Sequence, residues 1–103
     1  MNARGYADGR PTLLFFSSRR SGPARRMASL VAWVHVTEKH RLRVLEVDAD
    51  ANESLMKALH VDSVPALVLL GGSRVLARHE GRATGRQIEQ LIRSHVDEDI
   101  DES

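Results

Sequence analysis

The sequence predicts an α/β domain: a mixed sheet of about four strands, built as two parallel crossover units followed by an antiparallel hairpin, flanked by three helices. Three observations carry this. Apolar runs rich in β-branched or aromatic residues occur at 12–17, 42–47 and 66–70, and segments of helical spacing separate them. The third run is followed by Gly71-Gly72 and another strand-like stretch. Alternating strand and helix patterns call for crossovers, whereas a Gly-Gly pair between two strand patterns calls for a hairpin.

The first strand, TLLFFS over residues 12–17, is entered through Pro11 and left through serines, which suits a strand buried on both faces. No Gly or Pro interrupts residues 24–39, where Ala24, Met27, Leu30, Val31 and Val34 recur at helical spacing. Ser21 is the natural N-cap of this long helix. Gly22 and Pro23 follow, and proline is tolerated in a first turn because its missing N–H had no partner there. Residues 42–47 alternate and form the second strand. Asp50-Ala51-Asn52-Glu53 opens a short helix over 54–59, with Leu55, Met56 and Leu59 turned to the core. Val64-Pro65 leads into the third strand at 66–70, Gly71-Gly72 turns the chain, and 74–79 returns as the fourth. Thr84 caps a last helix through His95, whose buried face carries Ile88, Leu91, Ile92 and Val96.

Composition narrows the functional classes. A chain of 103 residues, 42% hydrophobic and 28% charged, makes one small domain. Its longest apolar run, residues 66–70, falls far short of the roughly 20 residues that cross a bilayer. Asn2, Arg4, Asp8, Gly9 and Arg10 break up any secretory core near the start, so cytoplasmic residence is the expectation. There is no cysteine, which removes disulfides, Cys-ligated zinc, iron–sulfur clusters and all thiolate chemistry. No cofactor is implied. The net charge of +1 hides a division: residues 1–96 carry +6 and residues 97–103 carry −5. The expected organisation is an N-terminal segment 1–10, a domain 11–96 and an acidic disordered tail 97–103.

With these elements in order, the chain resembles the thioredoxin family. The residues that carry the resemblance are Ser21-Gly22-Pro23-Ala24 opening a long helix, Val44-Leu45-Glu46-Val47-Asp48-Ala49-Asp50, Val64-Pro65 before an apolar strand, and Gly81 before the final helix. The register holds from about Pro11 to Val96. The resemblance implies a thioredoxin-like fold shortened at its N-terminus, and a cis peptide bond before Pro65. It also implies that Ser21 and Ala24 stand where thioredoxins have the two cysteines of Cys-Gly-Pro-Cys.

A serine hydroxyl stays protonated near neutrality and forms no sulfur–sulfur bond, and Ala24 carries no nucleophile, so dithiol exchange is impossible. Phe15 aligns with the family's buried acid, Glu46 with its lysine partner and Arg20 with the tryptophan before the first cysteine. The chain is therefore read as no redox enzyme, with no catalytic residues in the degenerate motif Ser21, Gly22, Pro23 and Ala24. It is read instead as a redox-inactive module for a protein or extended peptide, an acidic one included. The alternatives are a thioredoxin whose two cysteines were replaced, against which the changes at Phe15, Arg20 and Glu46 weigh, and an anion- or phosphate-binding domain.

Three candidate surfaces follow. The groove that the resemblance implies comprises Ser21, Gly22, Pro23, Val64, Pro65, Gly81, Arg82 and Ala83, and backbone pairing there needs no thiol. An anion site at the helix entrance draws on Ser18, Arg19, Arg20 and Arg25, with Ser17 and Arg26 nearby. A homodimer draws on Trp33 and Val36 of the long helix and on Leu42 and Val44 of a second strand left at the sheet edge. No His or acidic spacing suggests a metal, and His35, His40, His60, His79 and His95 read as surface residues. With Tyr6, Phe15, Phe16 and Trp33 its only aromatic residues, the chain presents no stacking platform for nucleic acid.

Overall fold

The computed structural model describes residues 9–101, with side chains described from 9 to 95. In order they form β1 (Thr12–Ser17), α1 (Gly22–Thr37), β2 (Arg43–Asp48), a 3₁₀ turn (Ala49–Ala51), α2 (Glu53–Ala58), β3 (Ala66–Gly71), β4 (Arg74–Glu80) and α3 (Gly85–Asp101). The four strands make one sheet in the order β2-β1-β3-β4. The expected thioredoxin-like α/β architecture with a four-stranded mixed sheet and three helices is present. Most of the expected N-terminal segment, residues 1–8, lies outside the described residues.

One part of the expected topology is corrected. β1 and β2 are parallel, but β3 runs antiparallel to β1, with Phe16 opposite Ala66 and Thr12 opposite Leu70. Only one parallel crossover therefore exists among the described residues. The connection of residues 49–65 is long enough for either direction, but its 3₁₀ turn and six-residue α2 stay at the end where β1 and β2 finish, and β3 begins there, with Ala66 opposite Phe16. β4 then pairs antiparallel with β3. Gly72, at φ +65°, takes the first place of the two-residue turn that joins them, a backbone state open to glycine at little cost.

Strand alternation divides the core. Leu13, Phe15, Leu67 and Leu69 face α1 and α3, where they pack with Met27, Val31, Val34, Ile88 and Ile92. Leu14, Phe16, Ala66 and Val68 face the other way and pack with Val61, Met56 and Leu59. Both central strands are thus apolar on both faces, which explains their unbroken runs of hydrophobic sequence.

Helix ends follow local chemistry. The Ser21 side chain accepts from Ala24 N at 3.1 Å and opens α1. Thr84 and Gln87 form a reciprocal capping box: Thr84 Oγ1 accepts from Gln87 N at 3.1 Å, and Gln87 Oε1 from Thr84 N at 2.9 Å. α3 is longer than expected. Of the acidic segment 97–103, residues 97–101 are helical, because no Gly or Pro after Gly85 stops the helix, and 102 and 103 lie outside the described residues. The expected burial of Val96 lies outside the described side chains. Leu30, expected in the core, is 37% exposed beside the α1–α3 groove, and Leu55 is 36% exposed.

Candidate functional site

The parallel pair β1–β2 and the antiparallel pair β3–β4 bring three segments to one end of the sheet. These are residues 18–24 after β1, residues 61–65 before β3, and residues 81–83 after β4. The sequence-predicted groove residues all lie in them. Gly81 N donates to Pro65 O at 2.8 Å, tying the second segment to the third. The Val64–Pro65 peptide bond is cis. Gly81 has φ +96°, where a Cβ would be strained even though none would meet a neighbour within 4 Å.

The 61–65 segment is held from β4. Glu80 Oε1 accepts from Ser63 Oγ at 3.0 Å and from Asp62 N at 3.3 Å, while Arg78 donates to the carbonyls of Leu59 and His60. His60 itself sits at φ 58°. These holds leave one gap: among the described residues, neither the N–H nor the C=O of Val64 has a hydrogen-bond partner. His79 Nε2 meets Arg82 O at 2.8 Å and supports the third segment. Ala83 turns its side chain into the core at 8% exposure, so it offers only backbone to the groove.

At the entrance to α1, the N–H inventory is nearly filled. Ser21 N donates to Ser18 O, Pro23 has no N–H, Ala24 N meets the Ser21 side chain, and Arg25 N donates to Ser21 O. Gly22 alone in this turn keeps an unpartnered N–H among the described residues. Two of the four side chains expected to bind an external anion meet an internal one. Ser18 Oγ donates to Asp50 Oδ2 at 2.9 Å, and Arg20 lies 3.6 Å from Asp50 Oδ1. That ion pair is largely solvated and contributes at most about 1 kcal/mol, but it places a carboxylate where an external anion was expected. Arg19 and Arg25 are exposed.

Next to this entrance, Phe15 is 1% exposed and pairs with Glu46 across β1–β2, while Glu46 accepts from Ser17 Oγ at 2.8 Å. No buried carboxylate lies beneath Ser21 among the described residues. Nor do the described residues hold any group of three metal-ligating side chains.

The proposed self-association residues separate. Trp33 and Val36 are 65% and 64% exposed. β2 is the edge strand, but Leu42 offers it no surface: at 1% exposure it is buried with the α1-facing core, and Val44 packs partly against the same cluster. Leu45, at 50% exposure, is the apolar residue that β2 presents. Alternation alone puts Leu42 on the strand, but its N–H donates to Glu38 O, closing the turn after α1 and drawing the side chain inward. Sequence reading missed the roles of Glu80, Arg78 and Asp50, and contacts 17 to 32 residues apart leave no local signal.

The family model for thioredoxin matches residues 6–94. A thioredoxin-like protein of Synechocystis is 27% identical over 88 residues, covering 85% of this chain and 81% of that protein. The germline-specific thioredoxin Deadhead of Drosophila melanogaster superposes with a TM-score of 0.81 at 27% identity, covering 91% of this chain and 90% of the other. Thioredoxin-2, described as a component of the malaria parasite's protein secretion machinery, superposes with a TM-score of 0.77 at 26% identity, covering 84% of each chain.

Proposed function

The chain belongs to the thioredoxin family, and from that premise we propose that it is a redox-inactive member that binds an extended segment of a protein through the groove between Ser21-Gly22-Pro23, Val64-Pro65 and Gly81-Arg82-Ala83. The unpartnered backbone of Val64 carries this reading. An N–H and a C=O left open on one residue, in a segment fixed from β4 by Glu80 and Arg78, are what an incoming strand pairs with. The absent thiols remove exchange chemistry and leave that pairing intact. The malarial thioredoxin-2 described above as part of a secretion machinery is a relative with a place in a protein assembly.

Installing the missing thiols tests the groove with a known peptide. Insulin is the probe. With dithiothreitol as the electron donor that regenerates the dithiol, the natural chain should add nothing to insulin reduction, whereas Ser21→Cys with Ala24→Cys should accelerate it, because the disulfide-bearing strand can dock where Val64 is open. The thiol at position 21 receives the Ala24 N–H and the positive end of α1, both of which favour the thiolate. A double variant whose thiols titrate and oxidise normally, yet which reduces insulin no faster than a small dithiol, would show the groove closed to peptides and sink the proposal. Turnover by the natural chain would sink the redox-inactive half.

A further inference from the structure

We propose that the acidic end of α3 docks on a second copy of this chain, along the exposed apolar face of α1 and the basic turn at its foot. Trp33 and Val36 lie about 60° apart on the helix, opposite the buried Met27, Val31 and Val34. A helix with only one side turned to the core would be polar there. Beside Trp33 an apolar groove runs between α1 and α3, lined by Leu30, Val34, Ile88 and Ile92. No acidic residue occurs within α1; at its foot Glu38 pairs with Arg41 and in the groove Glu89 pairs with Arg93, which leaves the exposed Lys39 and His40 beside them. Whatever covers this strip must be partly apolar, with negative charge at the foot.

The chain itself supplies such an element. Thr37 and Glu38, at the foot of α1, share the groove with Ile92 and Arg93 of α3. His95 lies with Gly9, Pro11, Gly71 and Gly72, at the end of the sheet where β1 begins and the hairpin turns. α3 continues for six residues beyond His95, about 9 Å, past that end of the body. The overhang contains Asp97, Glu98, Asp99 and Asp101, with Val96 and Ile100 one turn apart.

Its axis carries it past the end of its own α1. A two-fold axis at this end would lay each overhang along the foot of the other copy's α1, so one isologous contact satisfies both charge and apolar surface twice. Direct packing of α1 on an antiparallel α1 would instead set Arg25 and Arg26 against Lys39 and His40. Charge therefore selects the overhang as the occupant.

Sedimentation velocity of the full chain over a concentration series, at low and high salt, is the test. The expected result is a species of doubled mass that weakens as salt rises. Trp33→Glu, at an exposed helical position, should weaken it at least about thirtyfold, the loss typical of a central aromatic contact. Lys39→Glu with His40→Glu should abolish it, as should the Asn and Gln replacements of Asp97, Glu98, Asp99 and Asp101. Mixing these last two variants restores one of the two contacts and should recover part of the dimer. A monomer at every concentration overturns the proposal, and so does a dimer indifferent to the neutralised overhang. A dimer that survives Trp33→Glu but is lost on Leu45→Lys lies on the β2 edge and overturns it equally.

Discussion

Ser21 opens α1, and the geometry assigns it a structural task that substitution can measure. Its side chain accepts from Ala24 N at 3.1 Å and its carbonyl accepts from Arg25 N at 3.1 Å. Ser21→Ala removes only the first of these. The cost is the loss of an N-cap, about 1 kcal/mol, which for a domain of this size lowers Tm by roughly 4–8 °C. Ser21→Gly should cost only a few tenths of a kcal/mol, and Ser21→Asp should equal or exceed serine, since it keeps the acceptor and adds negative charge at the positive end of α1 beside Arg19, Arg20 and Arg25. The order Asp, Ser, Gly, Ala in urea midpoints is the signature. A flat series would mean that the helix entrance is held by something other than this cap, and the account of why the motif tolerates serine would fail.

Four further outcomes follow from the same geometry. Glu80→Ala releases Ser63 Oγ and Asp62 N, and should lower insulin turnover of the Ser21→Cys, Ala24→Cys variant several-fold while costing about 1–2 kcal/mol in urea unfolding; unchanged turnover would separate Glu80 from the groove. Gly22→Ala meets only the Arg26 guanidinium, at 3.7 Å, so it should leave stability unchanged or raise it by up to about 1 kcal/mol; a drop would reveal crowding at the entrance. Gly71→Ala brings a Cβ within 2.9 Å of Leu76 Cδ1 and should destabilise by about 1–3 kcal/mol unless Leu76 repacks, as thermal unfolding would register. Ile88→Ala empties a fully buried site and should cost about 2–5 kcal/mol, whereas Trp33→Ala in a dilute monomer should cost less than about 1 kcal/mol.

How much of this is legible in the sequence depends on the range of the force concerned. The strands of the central pair declare themselves because burial on both faces demands uninterrupted apolar residues, and TLLFFS begins and ends where β1 does. Ser21 and Thr84 declare themselves because a cap acts over three residues. The direction of β3 escapes a reading by element order, because the 17 residues between β2 and β3 are long enough for a parallel or an antiparallel return. The acidic run looks like a tail when its composition is weighed and its lack of a helix stop is not.

The candidate site divides along the same line. Its position can be inferred from the motif order, but its electrostatics cannot. Four arginines in the segment 19–26 suggest an open anion site, and nothing local shows that Asp50, 30 positions beyond Arg20, takes up one of them. Folding brings that carboxylate to Ser18 and Arg20 through the β1–β2 pairing, which sets Ser17 beside Asp48 and so delivers the following turn to the helix entrance. The same pairing places Phe15 opposite Glu46, leaving an apolar ring where proton handling would need a buried carboxylate. At this entrance most of the N–H groups are partnered, and Asp50 meets Arg20 while Arg19 and Arg25 stay exposed. Among the described residues the backbone of Val64 stays open, and the strand pairing proposed for this site rests on that unmet N–H and C=O.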